Sequence, residues 1–209
     1  PMIDILAPAL ARWNARDDIV AVLLRGAGER AFCAGGDIQA LYRSMTANHA
    51  ARAQVDDYSA RFFEAEYRLD YAIHRSPKPV ICFGHGVVMG GGLGLFSASH
   101  FRLVTERSRV AMPEVTIGLF PDAGASWILK GLPSAYAAWL GMTGTHLLAA
   151  DALQIAVIVG DGDEKIEVLA RGQERRGRRF RRPHRGHRVV HQIRHAAAVE
   201  RRLEPARAQ

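Results

Sequence analysis

Apolar residues recur at helical spacing from the start of the chain. Met2, Ile5, Leu6, Ala9, Leu10 and Trp13 mark one face of an amphipathic helix over residues 2–13. A loop follows at 14–18. Residues 19–24 read IVAVLL, a continuous apolar run that predicts a strand buried on both faces. A turn at 26–30 leads to a glycine loop over 32–38, FCAGGDI, whose Asp37 can cap a following helix. Residues 50–75 mix polar and apolar positions and predict one long helix, broken by Ser76-Pro77-Lys78-Pro79. A short buried strand is predicted at 80–83, a helix at 93–99, strands at 101–105 and 109–112, and helices at 123–131 and 134–142. There is no internal repeat. Short buried strands alternating with helices predict an α/β fold with parallel strands and right-handed crossovers. A sheet that opens on a helix lacks the strands that would precede it, so an N-terminal truncation is expected.

Composition narrows the class. The 209 residues are 48% apolar, enough for one sizeable core. No apolar run reaches membrane-spanning length, and residues 1–13 lack the basic start and small-residue cleavage site of a secretory signal. Cys33 and Cys82 both lie in apolar surroundings. They read as reduced buried thiols rather than a disulfide or metal pair, which suggests a cytoplasmic protein.

The net charge of +7 is unevenly spread. Residues 1–170 hold 15 Lys and Arg against 18 Asp and Glu, a net −3, whereas residues 171–209 hold 13 Arg, no Lys and 3 Glu, a net +10. The character of the chain changes past Gln154. Residues 1–153 read as the globular domain, and 154–209 as an irregular Arg-rich tail. Arg, Ala, Gly, Pro and His dominate shifted frames of GC-rich DNA, so a frameshift origin is the leading reading of that tail. A solvated, disordered segment comes next. A nucleic-acid-binding tail comes last, because the tail lacks the interleaved aromatics that stack on bases.

The candidate chemistry lies in 84–122. Gly90-Gly91-Gly92 follows an apolar strand and opens an apolar helix, and Gly35-Gly36-Asp37 also follows a strand. Each alone reads as well as a tight turn or as close packing. There is no G-x-G-x-x-G and no Walker lysine, so nucleotide binding fits poorly. Two such loops can instead aim two backbone N–H groups at one oxygen, which is an oxyanion hole. Glu114 and Asp122 each follow a proline among apolar neighbours. A carboxyl so placed has a raised pKa and can serve as acid, base or nucleophile. The plainer reading is an exposed Glu and a capping Asp. Glu66, in FFEAEYRLDY, reads by itself as part of a solvated helix face, and His74 and His85 as structural histidines. No G-x-S-x-G elbow and no Ser/His/Asp pattern is present.

Three segments together, AFCAGGDI (31–38), KPVICFGHGVVMGGGLGL (78–95) and VAMPEVTIGLFPDAGASWIL (110–129), resemble the crotonase superfamily. Within it they resemble the 3-hydroxyisobutyryl-CoA hydrolase branch, over residues 1–153. The resemblance implies a spiral of ββα units and an acyl-CoA thioester held at two backbone N–H groups, which match Gly36 and Gly91. Hydratases of the superfamily carry a catalytic Glu where this chain has Gly94. Their other catalytic Glu matches Glu114. The hydrolase branch pairs that Glu with an Asp matching Asp122 and has a substrate-site Glu matching Glu66. The resemblance therefore implies hydrolysis of a short 3-hydroxyacyl-CoA thioester, 3-hydroxyisobutyryl-CoA of valine breakdown being the leading substrate. Glu114 and Asp122 would be catalytic, Gly36 and Gly91 the oxyanion donors, and Glu66 a substrate contact. No metal and no cofactor is implied, since coenzyme A is part of the substrate. A hydratase or isomerase is the alternative. Gly94 counts against the hydratase, while an isomerase can work with one carboxylate. A nucleic-acid-binding protein acting through the tail is the reading from another class, and it is disfavoured. No membrane partner is expected, and oligomerisation stays open. The family's N-terminal strands and C-terminal helices have no counterpart here, and a chain shortened in this way can keep its site residues without activity.

Overall fold

The computed structural model describes residues 2–152 and the backbone of 165–168. The chain opens on α1 (Met2–Asn14), where the sequence periodicity placed it. The strands β1 (Val22–Arg25) and β2 (Ala31–Cys33) follow, then α2 (Ile38–Ala51) and α3 (Tyr58–His74). Next come β3 (Val80–Gly84), β4 (Val87–Met89), α4 (Gly91–Ala98), β5 (Phe101–Val104) and β6 (Arg109–Ala111). A 3₁₀ turn (Glu114–Ile117), α5 (Ala125–Lys130), α6 (Ser134–Thr143), β7 (Leu147–Leu148) and β8 (Lys165–Val168) complete the order.

The strands divide between two four-stranded sheets. One sheet has the order β1-β3-β5-β8 and the other β2-β4-β6-β7. All pairs are parallel except β6 with β7. Each pair of short strands thus gives one strand to each sheet before a helix carries the chain to the next pair. This is the ββα spiral that the resemblance implied. Leu69 and Ile73 of α3 belong to the core with Val80, Cys82, Val88 and Val104, the last four wholly buried.

Two expectations change. The IVAVLL run is not buried on both faces. Val22 and Leu24 point into the core while Leu23 is 53% exposed, so the outer face of β1, the edge strand of its sheet, lies open. The stretch 50–75 is not one helix. The side chain of Asn48 folds the chain back: its Oδ1 accepts from the N–H of Val55 (2.7 Å) and Asp56 (2.8 Å), and its Nδ2 donates to Asp56 O (2.7 Å). That clamp separates α2 from α3. Asp37 caps α2 as expected, accepting from Ala40 N at 3.0 Å. Cys33 and Cys82 are free thiols. Residues 165–168 lie within the predicted tail, and their backbone pairs with β5. The other readings of 154–209 lie outside the described residues.

The turn between β5 and β6 is fastened to the end of β3 by wholly buried Ser108, whose Oγ donates to Gly84 O (2.6 Å) and accepts from Thr105 N (2.8 Å). Ser108→Ala leaves both partners unpaired, and each buried unpaired group costs about 1–3 kcal/mol. A urea melt is expected to show that loss of stability, and an unchanged midpoint would contradict it.

Candidate active site

The two glycine loops meet. Gly35 has φ +107°, a left-handed conformation that glycine alone adopts readily, and a β-carbon added there would lie 3.5 Å from Gly91 N. Gly90, with φ +52°, caps α4, so the first N–H groups of that helix are left without intrahelical acceptors. Among the described residues, neither the Gly36 nor the Gly91 N–H donates to a backbone acceptor. Both positions exclude side chains. A β-carbon at Gly36 would overlap the ring of Phe62, and one at Gly91 would overlap Glu66 Oε1. The second neighbour is the mobile end of a side chain. Gly91→Ala is therefore expected to fold and to push the Glu66 carboxyl aside. A crystal structure of the variant with Glu66 unmoved would contradict that.

The carboxyls converge on the same place. Glu66 projects from α3 and is 7% exposed. Glu114 opens the 3₁₀ turn, buried, with Oε2 lacking a hydrogen-bond partner. A β-carbon on Gly90 would lie 3.4 Å from Glu114 Oε1, which puts this carboxyl at the mouth of α4. Asp122 sits in the loop before α5, half-buried. The next residue, Ala123, is buried with φ +43°, a conformation that costs a non-glycine residue about 1 kcal/mol or more. The strain lies directly beside Asp122.

The sequence reading missed a fourth carboxyl, Asp70, one turn beyond Glu66 on α3. It is 9% exposed, and neither of its oxygens has a partner among the described residues. It packs where a side chain at position 94 would stand. A β-carbon on Gly94 would lie 2.6 Å from Asp70 Oδ2 and 3.0 Å and 3.1 Å from Ala123 Cβ and O. The signal available in the sequence was the i, i+4 spacing of Glu66 and Asp70.

Burial raises the proton affinity of the whole group. It pushes Glu66 up to about 7, with the charges of Asp122 and Glu114 adding to the effect. Burial pushes Asp70 up to about 8, reinforced by Glu66 and Asp122. Glu114 is raised by burial and by Asp122, and Asp122 by burial. Glu66 and Asp70 hold protons more tightly folded than unfolded. Their stabilising contribution is complete below about pH 4, near the ordinary carboxyl range. It is lost as pH rises through about 7 for Glu66 and about 8 for Asp70. The melting temperature is therefore expected to fall between pH 5 and 8, and more steeply in the native protein than in a Glu66→Gln, Asp70→Asn double variant. Identical slopes would contradict the shifts.

His85 is structural, as read: Nε2 lies 3.0 Å from Gly28 O and Nδ1 3.3 Å from Phe83 O. A cavity of about 1100 Å³ runs between α2 and the 3₁₀ turn, with Ile38, Leu41, Tyr42, Phe63, Ile117 and Leu119 in its walls together with Arg43 and His49. Helix N–H groups beside shielded carboxyls suit an acyl group whose carbonyl gains negative charge. Among the described residues, no helix is long and apolar enough to cross a membrane.

The family described as enoyl-CoA hydratase/isomerase matches residues 1–160. The chain is 38% identical over 156 residues to the mitochondrial 3-hydroxyisobutyryl-CoA hydrolase of Gallus gallus, spanning 75% of this chain and 39% of that one. It is 40% identical over 146 residues to the small ribosomal subunit protein mS47 of Neurospora crassa, spanning 70% and 28%. Among solved structures, a carnitinyl-CoA dehydratase from Mycobacterium thermoresistibile superposes with a TM-score of 0.68 at 40% identity, covering 77% of this chain and 44% of that one. The chain thus spans less than half the length of these relatives. The expectation of a cytoplasmic protein is corrected, because hydrolases that it resembles are named mitochondrial. Reduced thiols do not distinguish the cytosol from another reducing compartment. By its paired sheets, its glycine-opened α4 and the family match over residues 1–160, the chain belongs to the enoyl-CoA hydratase/isomerase family, the crotonase superfamily.

Proposed function

We propose that this site hydrolyses the thioester of a short 3-hydroxyacyl-CoA, with 3-hydroxyisobutyryl-CoA as its leading substrate. The observation that supports the reading most is the position of Glu114 beside Gly90 at the mouth of α4, shielded and with one oxygen unpartnered. The thioester oxygen lies at the Gly36 and Gly91 N–H groups. Glu114 attacks the carbonyl carbon or takes a proton from an attacking water. On either route the carbonyl π electrons move to oxygen, and the two N–H groups meet that charge. Collapse re-forms the carbonyl and expels coenzyme A as its thiolate. Where water attacked, the free acid is left. Where Glu114 attacked, water then hydrolyses the mixed anhydride to the free acid and frees Glu114. Asp122 assists proton transfer and orients the substrate hydroxyl together with Glu66, which accepts a hydrogen bond from it. The chemistry calls on no metal and no cofactor beyond the coenzyme A of the substrate.

Water addition to an enoyl-CoA is the alternative, and names among the relatives, a dehydratase and a hydratase, point that way. Against it, position 94 has no carboxylate and no room for one until Asp70 and Ala123 move. No measurable hydration of crotonyl-CoA is expected. Substantial hydration by the native protein would favour the alternative.

A further inference from the structure

The hydrolase reading uses Glu66, Glu114 and Asp122 and leaves Asp70 without a task. Asp70 is nine-tenths buried, yet both of its oxygens lack partners. A buried carboxylate without partners is costly, whereas the neutral acid is much less so. It lies in the notch left by Gly94, on the wall of a cavity of about 580 Å³ shared with Leu93, Phe96, Val110 and Met112. Tyr67, His74, Arg75 and Arg102 also line this cavity, yet among the described residues none hydrogen-bonds the Asp70 carboxyl. Four residues earlier on the same helix, Glu66 reaches Gly91 at the mouth of α4. The i, i+4 spacing sets both carboxyls on one helix face. Two buried carboxyls that close titrate as a pair, and one proton stays with the less solvated member. Asp70 has no partner to stabilise its charge, so the proton stays there.

We propose that Asp70 is a positioning residue that keeps the pair's proton, so that Glu66 carries the pair's negative charge towards the substrate. The inference rests on the hydrolase reading, in which Glu66 acts as an acceptor. An acceptor for a substrate hydroxyl must be ionised to use both oxygens. A second charge on Asp70 would oppose both the ionised Glu66 and the oxyanion forming at Gly91. The charged and titratable groups around Asp70 are Glu66 and Tyr67 on its own helix and Asp122 from the loop before α5. His74, Arg75 and Arg102 share its cavity. Arg102 Nη1 donates to Ser97 O at 2.9 Å. The charges acting on Asp70 are those of Glu66 and Asp122, both negative.

Two variants test the assignment. Asp70→Asn keeps the shape and cannot ionise, whereas Asp70→Ala removes the group. Hydrolysis of 3-hydroxyisobutyryl-CoA is expected to fall about tenfold or more in Asp70→Ala and to be largely rescued in Asp70→Asn. The native protein should lose turnover as pH rises past about 8, and Asp70→Asn should not. Retention of the native alkaline fall in Asp70→Asn would overturn the proposal. So would loss of activity in Asp70→Asn as deep as in Asp70→Ala, because a base at position 70 would then be required. A readout without substrate separates this inference from the function it rests on. Potentiometric titration of the substrate-free protein between pH 6 and 9 should release one proton more from the native protein than from Asp70→Asn. Equal release would overturn the proposal even if hydrolysis were confirmed. A one-proton difference would sustain the proton assignment even if hydrolysis failed. If Asp70→Asn does not fold, the infrared band of a neutral buried carboxyl in the native protein, present at pH 6.5 and absent at pH 9.5, supports the proposal. Its absence at pH 6.5 overturns it.

Discussion

Glu114→Gln is expected to lower thioester hydrolysis by about 10²-fold or more while acyl-CoA binding persists. Its magnitude is the lower end of what a positioned acid, base or nucleophile contributes. The amide is isosteric, so the 3₁₀ turn that begins at Glu114 keeps its fold, and Leu119 N still donates to the residue 114 carbonyl (3.0 Å). Only the capacity to ionise is lost. Turnover within a few fold of the native protein, measured by release of free thiol, would remove Glu114 from the mechanism.

Gly91→Pro is expected to cost a comparable factor by a different route. Removing one oxyanion donor costs about 10²–10³ in turnover. Proline at the first position of a helix is tolerated, since that N–H has no intrahelical acceptor. The pyrrolidine ring also presses on Glu66 Oε1 as any β-carbon at 91 would. Gly91→Ala is therefore the reference, because it moves Glu66 and keeps the donor. The account predicts that proline is worse than alanine by at least about tenfold, the part assigned to the lost hydrogen bond. Equal turnover in the two variants would place the loss in Glu66 and leave the Gly91 N–H without a role.

Local signals in the sequence were legible, and distant ones were not. The glycine triplet, Asp37 as a cap and the Pro-Glu and Pro-Asp pairs act within a few residues, and each sits where the pattern put it. The strands β2 and β4 have three residues each, too few to show a period. The division of 50–75 depends on one asparagine side chain reaching backbone seven and eight residues ahead. The exposure of Leu23 depends on what covers the outer face of β1, which composition does not reveal. The site followed the same rule. Glu66, Glu114, Asp122 and both glycine loops could be picked by motif. Asp70 sits on the same helix as Glu66, and a polar residue there reads as solvated until the packing of α3 against α4 is seen to bury it. Gly94 illustrates the converse. As a sequence position it is a missing glutamate, while in the fold it is a notch already filled by the carboxyl of Asp70 and by Ala123.

This constellation is expected to cleave thioesters rather than add water to a double bond. One paired assay addresses it: the same protein preparation with 3-hydroxyisobutyryl-CoA, followed by free thiol, and with crotonyl-CoA, followed by loss of the conjugated double bond. Thiol release that depends on Glu114, with no measurable hydration, is the expected result. Hydration of crotonyl-CoA without thiol release from the hydroxyacyl thioester would contradict it.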